Sequence, residues 1–82
     1  MARQELTERE LLAILNEQLS THDRHDTCAG CRFTSIARLR GTDETGCNWS
    51  HANLQCSGQP AAVCRPAADR VVSVAREKYN AK

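Results

Sequence analysis

The sequence has few aromatic and few large aliphatic residues, and this shortage limits the core that it can build. Its 82 residues contain one Phe, one Tyr and one Trp, and eleven of its hydrophobic residues are alanine. A chain of this length forms one small domain. A core this thin suggests additional stabilisation by a metal, a covalent cross-link or a partner surface. The alternative is that two well-capped helices over a small sheet suffice.

The sequence also lacks a strong charge of either sign and a long apolar run. Its formal net charge is +1, whereas capture of nucleic acid or of an acidic membrane usually needs a clearly basic face. No stretch of 18 consecutive apolar residues occurs, so no membrane span is expected. The first residues lack the basic start and apolar run of a secretory signal. We therefore expect a cytoplasmic protein without nucleic-acid or membrane partners; a removed signal would reverse the expected compartment.

Motifs for catalysis are absent as well. The sequence contains no glycine-rich phosphate loop. Three histidines and five cysteines in so small a domain place some pair close together by chance, and none of them forms a recognisable nucleophile constellation. We therefore expect a protein that is not an enzyme.

Two helical segments are predicted, one on each side of a cysteine-bearing middle. Thr7 and Glu10 fit a capping box, with Leu6 before the cap, and they predict a helix over about 7–20. Its apolar stripe has helical spacing and consists of Leu11, Leu12, Leu15 and Leu19. Pro66 suits the first position of a second helix over about 66–79, after one short turn at Pro60–Cys64. The residues after Tyr79 are expected to fray.

A sheet is predicted between these helices, over about 32–57, and two registers are open. A long hairpin would pair Cys31 with Cys56, Phe33 with Leu54 and Arg38 with Trp49. A three-stranded meander, with a turn at 50–53, would instead bring Cys47 opposite Cys56. We slightly favour the meander, since a three-stranded sheet offers helices a larger packing surface than a two-stranded one. Either register gives an α+β domain over 1–82: an N-terminal helix, a two- or three-stranded antiparallel sheet and a C-terminal helix.

The cysteine pattern makes zinc the first candidate ligand. Cys28 and Cys31 have the C-x-x-C spacing that presents two sulfurs to one tetrahedral ion. No second pair of this spacing exists, but Cys56 and Cys64 can join the set if the first ends a strand and the second lies on the following turn. The candidate metal ligands are therefore Cys28, Cys31, Cys56 and Cys64. His22 and His25 continue the same three-residue interval and are minor candidates beside them.

Three other fates for the cysteines stay open. The Cys28/Cys31 pair could serve thiol redox chemistry or metal handling, although a thioredoxin-like motif needs a βαβ setting. Structural disulfides are the second possibility: Cys31–Cys56 suits the hairpin and Cys47–Cys56 suits the meander. The third is that all five are plain buried thiols, which behave as small hydrophobic residues.

Several short stretches carry a family resemblance. They are Cys28-Ala-Gly-Cys31-Arg32-Phe33, Gly46-Cys47-Asn48-Trp49-Ser50, Cys56-Ser57-Gly58 and Cys64-Arg65-Pro66. Through these stretches, the segment 28–66 resembles a family of small uncharacterised cysteine-containing proteobacterial proteins. The resemblance implies a bacterial protein, and it transfers no activity and no functional residue.

The sequence as a whole predicts a non-enzymatic interaction module with a protein partner and zinc as a candidate stabiliser. A thiol-redox or metal-handling protein is the alternative. An interaction module needs an exposed apolar patch. We expect that patch around Trp49 or along the first helix.

Overall fold

The structure is a computed structural model and describes residues 4–22 and 28–82. It confirms the predicted α+β class. The elements in chain order are β1 (Gln4–Leu6), α1 (Glu8–His22), β2 (Cys31–Arg38), β3 (Trp49–Cys56), α2 (Ala61–Lys78) and β4 (Tyr79–Ala81). In the described part, β2 and β3 form an antiparallel hairpin, and β1 and β4 form a small parallel pair.

The start of α1 is fixed by the predicted capping box. The Thr7 amide donates to Oε1 of Glu10 at 2.9 Å, and the Glu10 amide donates to the Thr7 hydroxyl at 3.1 Å. These two bonds satisfy amides that the first helical turn would otherwise leave without partners. Leu11, Leu15 and Leu19 are buried along one side of the helix, so the predicted stripe faces the core.

The hairpin has the long register, and the meander that the sequence slightly favoured is wrong. Both strands have eight residues. The described residues contain no third strand next to either of them. Three pairs of the long register are present: Cys31 lies opposite Cys56, Phe33 opposite Leu54 and Arg38 opposite Trp49. Between them the register is shifted, so that Ser35 lies opposite Asn53 and not opposite Ala52, as an uninterrupted hairpin predicts.

Two irregularities in the hairpin, one at Thr34 of β2 and one at Ser50 of β3, change which side chains face the core. The register shifts between Phe33 and Ser35 and again between Ala37 and Arg38. A bulge leaves one residue without an opposite partner, so the alternation of faces is interrupted. As a result Phe33 and Ile36 are both buried, whereas strict alternation predicted that Ile36 faces away from Phe33.

α2 is longer than predicted and continuous. It runs from Ala61 to Lys78 with Pro60 at its N-cap and Pro66 inside it, so the expected break before Pro66 is wrong. Proline in a helix loses one hydrogen bond to the carbonyl four residues earlier and usually interrupts the helix. Here Cys64, which lies just before Pro66 in the chain, is covalently bound to the core. That bond holds the first turns of the helix in place.

The two ends of the chain pair with each other, and the predicted fraying after Tyr79 is also wrong. Strands β1 and β4 are parallel, and the Lys82 amide donates to the Leu6 carbonyl at 2.7 Å. This pairing joins residues that are more than seventy positions apart. No local pattern of three-residue segments predicts it, because it depends on where the two helices place the chain ends.

One core lies between the hairpin and the two helices. α1 packs against β2, α2 packs against β3, and the helices contact each other. The largest fully buried side chains are Trp49, Leu11, Leu15, Cys47 and Cys64. No helix in the described ranges has the length and apolar character needed to cross a membrane.

Candidate functional site

The C-x-x-C segment forms a tight turn that leads into β2. The Cys31 amide donates to the Cys28 carbonyl at 2.9 Å, which closes a four-residue turn. Gly30 has a φ of +78°, and a Cβ on it would lie 2.6 Å from the Ser57 carbonyl oxygen. Only glycine fits that position without a shift of the backbone. The turn therefore fixes the backbone positions of the two cysteines and hence the residues that their side chains can reach.

Both cysteines of this turn form disulfides, but with different partners. Cys28 is bonded to Cys64 on α2, and Cys31 is bonded to Cys56 at the end of β3. The Cys31–Cys56 bond is the one that the hairpin register predicted. The Cys28–Cys64 bond was not predicted, because it requires the helix that carries Cys64 to lie over the turn. We call the part of the molecule that holds these four cysteines the sulfur end.

The structure thus brings together the four cysteines that the sequence selected as zinc ligands, but as two disulfides. Zinc binds thiolates, and a disulfide sulfur is not a thiolate. Across the described ranges, no three His, Cys, Asp or Glu side chains are placed to hold a metal ion. Zinc binding by the reduced chain stays a prediction. His25 and the side chain of His22 lie outside the described residues.

The arrangement also differs from a redox C-x-x-C motif. In such a motif the two cysteines form a disulfide with each other in the oxidised state. The N-terminus of a helix lowers the pKa of the first cysteine thiol. Here Cys28 and Cys31 bond to separate partners, and Cys31 begins a strand. The Cys28–Cys64 bond is buried, with 5% of Cys28 and none of Cys64 exposed. An incoming thiolate would therefore meet the Cys31–Cys56 bond first, since exchange rates depend on access.

Cys47 is the fifth cysteine and lies at the opposite end of the hairpin. It is fully buried and not in a disulfide. Its thiol donates to the Trp49 carbonyl at a sulfur–oxygen distance of 3.2 Å. In the observed hairpin Cys47 lies in the connection between the strands, whereas Cys31 and Cys56 pair at the strands' other ends. A Cys47–Cys56 disulfide, which the meander would have allowed, is excluded by the observed register.

Asp43 organises the connection between β2 and β3. Its Oδ1 accepts bonds from the Thr45 hydroxyl at 2.6 Å, the Thr45 amide at 2.9 Å and the Cys47 amide at 3.1 Å. Its Oδ2 forms an ion pair with Arg76 of α2. These contacts, led by the Thr45 hydroxyl, lower the pKa of Asp43 from its ordinary 3.8 to about 2. Asp43 is therefore a structural anion that ties the loop to α2.

Trp49 is buried, so the expected exposed patch around it is wrong. None of its surface is exposed, and its Nε1 donates to the Tyr79 carbonyl at 3.0 Å. Its own carbonyl accepts a hydrogen bond from Nε of Arg76 at 3.0 Å. The opposing Arg38 donates a hydrogen bond to the Lys82 carbonyl. Trp49 thus joins the hairpin, α2 and β4 inside the core.

The exposed apolar surface lies elsewhere, on the outward side of α2. Val63 is 48% exposed and Val74 is 46% exposed. Residues at helical spacing around Val74 define what we call the α2 face: Val63, Ala67, Arg70, Val74, Glu77 and Lys78. A helical wheel of the predicted helix over 66–79 could have found Val74, which lies to one side of the buried Ala68, Val71 and Ala75. Val63 was missed because it precedes that predicted helix.

A shallow groove borders the α2 face where α1 meets α2. It encloses about 70 Å³ and is lined by Ile14, Gln18, Val71, Val74, Ala75, Lys78 and Tyr79. Pockets for small molecules and cofactors usually enclose about 300–1,000 Å³. This groove is therefore too small for a cofactor, but it can receive one aliphatic side chain. Ile14 places part of it on the first helix, one of the two locations that the sequence suggested for an apolar patch.

No protein-family model, curated protein or solved structure matches this chain. The proteobacterial resemblance therefore stays a prediction.

Proposed function

We propose that this chain is a non-enzymatic interaction module that binds a protein partner through the α2 face and the adjoining groove. One observation carries the proposal: Val74 is about half exposed and continues into a groove that contains Ile14 and Val71 beside the polar Gln18 and Lys78. Single exposed aliphatic residues are common on protein surfaces. Val74 borders a groove of mixed polarity, and a second exposed valine, Val63, lies on the same helix face; apolar surface bordered by polar residues is the kind of feature found at interaction sites.

The chemistry of the remaining side chains supports a binding role over a catalytic one. Four cysteines are consumed in disulfides and the fifth is buried in the core. Asp43 and Arg76 are paired with each other and with the backbone. These groups, which could otherwise act as nucleophile, base or anion-binding cation, are therefore engaged in holding the fold.

The disulfides also bear on the proposed setting. Structural disulfides persist in oxidising compartments and are rare in a reducing cytoplasm. Two of them in a chain with so thin a core favour an oxidising compartment for the working protein, in place of the cytoplasm that we expected above. Trapping of thiols in intact cells, followed by mass measurement, separates the two: one free thiol indicates the oxidised form and five the reduced form.

A reduced chain with bound zinc is the second candidate state of the same module. The four sulfur-end cysteines are the only ones that the fold brings into neighbouring positions among the described residues. Intact mass under native and denaturing conditions decides between the states. The oxidised chain is lighter than the fully reduced chain by four hydrogen atoms, two for each disulfide, and the metal form gains the mass of one zinc under native conditions only.

The binding surface is tested by affinity capture with the full chain immobilised. We expect the wild-type chain to retain a protein from the source lysate, which can be the chain itself, and Val74→Glu to lose it. Ser73→Glu is the matched control, because it adds the same charge at the adjacent exposed position on another side of α2. Equal retention by wild type and Val74→Glu, or retention of nothing by the wild type, would refute the proposed surface.

A further inference from the structure

We infer that the partner of the α2 face is a second copy of this chain, bound so that the two α2 helices run antiparallel about a twofold axis near Val74. This inference rests on the proposed function, since it names the partner of the same surface. It follows from the order of charges along the helix.

Arg70 and Glu77 have no opposite charge within reach on their own helix. Ion pairs along a helix join residues three or four positions apart. All residues at those positions are uncharged. Around Arg70 they are Pro66, Ala67, Ser73 and Val74, and around Glu77 they are Ser73, Val74, Asn80 and Ala81. Among the described residues, the ion pair that the structure records joins Arg76 and Asp43 instead. Both Arg70 and Glu77 are exposed on the α2 face, so each presents its charge to solvent.

The two charges lie almost symmetrically around the exposed valine. Arg70 is four residues before Val74 and Glu77 is three residues after it, on the same flank of the helix. A twofold axis perpendicular to α2 reverses the chain direction and keeps the flank. It therefore places Arg70 of one copy opposite Glu77 of the other, and the same pair forms a second time by symmetry. Val74 meets its symmetry mate at the centre.

The rest of the α2 face is compatible with this pairing. Ala67 has a small side chain, which permits close approach of a second helix. The groove beside Val74 can receive an aliphatic side chain from the other copy. The net charge of +1 gives little repulsion between copies. A surface of one helix and one groove is small, so a weak and concentration-dependent dimer is expected.

Charge exchange tests this arrangement by sedimentation equilibrium of the full chain between about 10 μM and about 1 mM. The wild type is expected to dimerise within that range. Arg70→Glu places two pairs of glutamates in contact, and Glu77→Arg places two pairs of arginines in contact. Exposed ion pairs are individually weak, and the exchange affects two of them, so each variant should raise the dissociation constant about tenfold.

An equimolar mixture of the two single variants gives the decisive measurement. Like charges face each other only when two copies of the same variant pair. In the mixed dimer, one contact joins the introduced glutamate at position 70 to the introduced arginine at position 77. The other contact joins the native Arg70 to the native Glu77. The mixture should therefore dimerise at concentrations where each variant alone does not. The double variant Arg70→Glu/Glu77→Arg should also recover the wild-type dissociation constant. Because all changed residues are exposed, circular dichroism of each variant should match that of the wild type.

The outcomes separate this inference from the proposed function. A wild type that stays monomeric, or a dimer that neither single variant weakens, would overturn the twofold pairing. So would a mixture no more associated than its two components. If the wild type is monomeric while Val74→Glu still abolishes capture of another protein, the α2 face remains the binding surface and only its identification with a second copy is refuted.

Discussion

The two ends of the β-hairpin are held by opposite kinds of chemistry. At the sulfur end, two disulfides fasten the start of β2 and the end of β3 to each other and to α2. At the other end, which we call the polar end, hydrogen bonds and one ion pair connect the loop between the strands with α2 and β4. The sulfur end contributes stability that depends on redox conditions, and the polar end contributes stability that depends on pH.

The difference shows how a chain with few large apolar residues maintains one core. The disulfides restrict the unfolded chain, so their effect does not require additional buried surface. The polar end instead closes the core around Trp49, whose indole bonds the Tyr79 carbonyl and whose own carbonyl is bonded by Arg76. Because the two ends use different chemistry, each can be weakened separately.

Removal of the Cys28–Cys64 disulfide should have the largest effect. The bond closes a loop with a sequence separation of 36. The Cys31–Cys56 bond lies within this loop and shortens it to residues 28–31 and 56–64. Loop-closure entropy then predicts that Cys28→Ala/Cys64→Ala loses about 3 kcal/mol of unfolding free energy, measured by urea denaturation without reductant. Cys47→Ala is the control, because it removes a thiol that is not cross-linked and should leave the response to reductant unchanged. A wild type that is equally stable with and without reductant would contradict the sulfur end as described.

At the polar end, Asn48→Ala should have the next largest effect. The Asn48 amide donates to the Ala81 carbonyl at 2.6 Å, and its Oδ1 accepts from the Ala81 amide at 2.8 Å. Truncation leaves both backbone groups of the buried Ala81 without these partners, at a cost of about 2 kcal/mol. Asn53→Ala is the matched control, since Asn53 is exposed and bonds the Ser35 hydroxyl. Equal losses for the two variants in urea denaturation would show that β4 is not held by Asn48.

The capping box predicts a smaller loss. Thr7→Ala removes the hydroxyl that accepts a hydrogen bond from the Glu10 amide. It should lower the free energy of unfolding by about 1 kcal/mol. Thr7→Ser keeps the acceptor and should retain most of the wild-type stability. Thermal denaturation followed by circular dichroism measures both variants. A Thr7→Ser chain as unstable as Thr7→Ala would assign the loss to packing of the methyl group.

Acid should weaken the polar end and leave the sulfur end unchanged. The pKa of Asp43 is about 2 in the folded chain and 3.8 ordinarily, so the unfolded state binds more protons between these values. The stabilisation is therefore complete above about pH 4 and is lost as the pH falls towards 2. The pKa of Glu10 is also lowered, first by its backbone bond with Thr7, and contributes in the same direction.

Asp43→Asn measures the Asp43 share of this acid response. The loss of urea resistance between pH 7 and pH 3 should be smaller for Asp43→Asn than for the wild type, because the variant has no carboxyl to protonate at this position. Glu44→Gln removes a neighbouring exposed carboxyl and serves as the control, with a loss like that of the wild type. An acid response of Asp43→Asn equal to that of the wild type would show that the loop does not depend on this carboxylate.

Local patterns predicted most of the elements but not the contacts between distant segments. Thr7 and Glu10 predicted the helix start because a capping box involves only residues three positions apart. The sequence grouped the four cysteines of the sulfur end as candidate zinc ligands, and the structure joins them in two disulfides. The Cys31–Cys56 bond follows from the hairpin register, whereas the Cys28–Cys64 bond was not predicted, because it depends on how α2 crosses the C-x-x-C turn. The exposure of Trp49 was predicted wrongly for the same reason: its cover comes from α2 and β4.

The sequence by itself determined the two helical segments, the first strand of the hairpin and the α+β class, since these follow from caps, spacing and side-chain alternation within short segments. Tertiary structure decided the bulged register, the continuity of α2 through Pro66 and the parallel pairing of the chain ends. It also decided that four of the five cysteines pair while Cys47 stays buried as a thiol. Those features depend on distances between residues far apart in the chain, which are fixed only when the core forms.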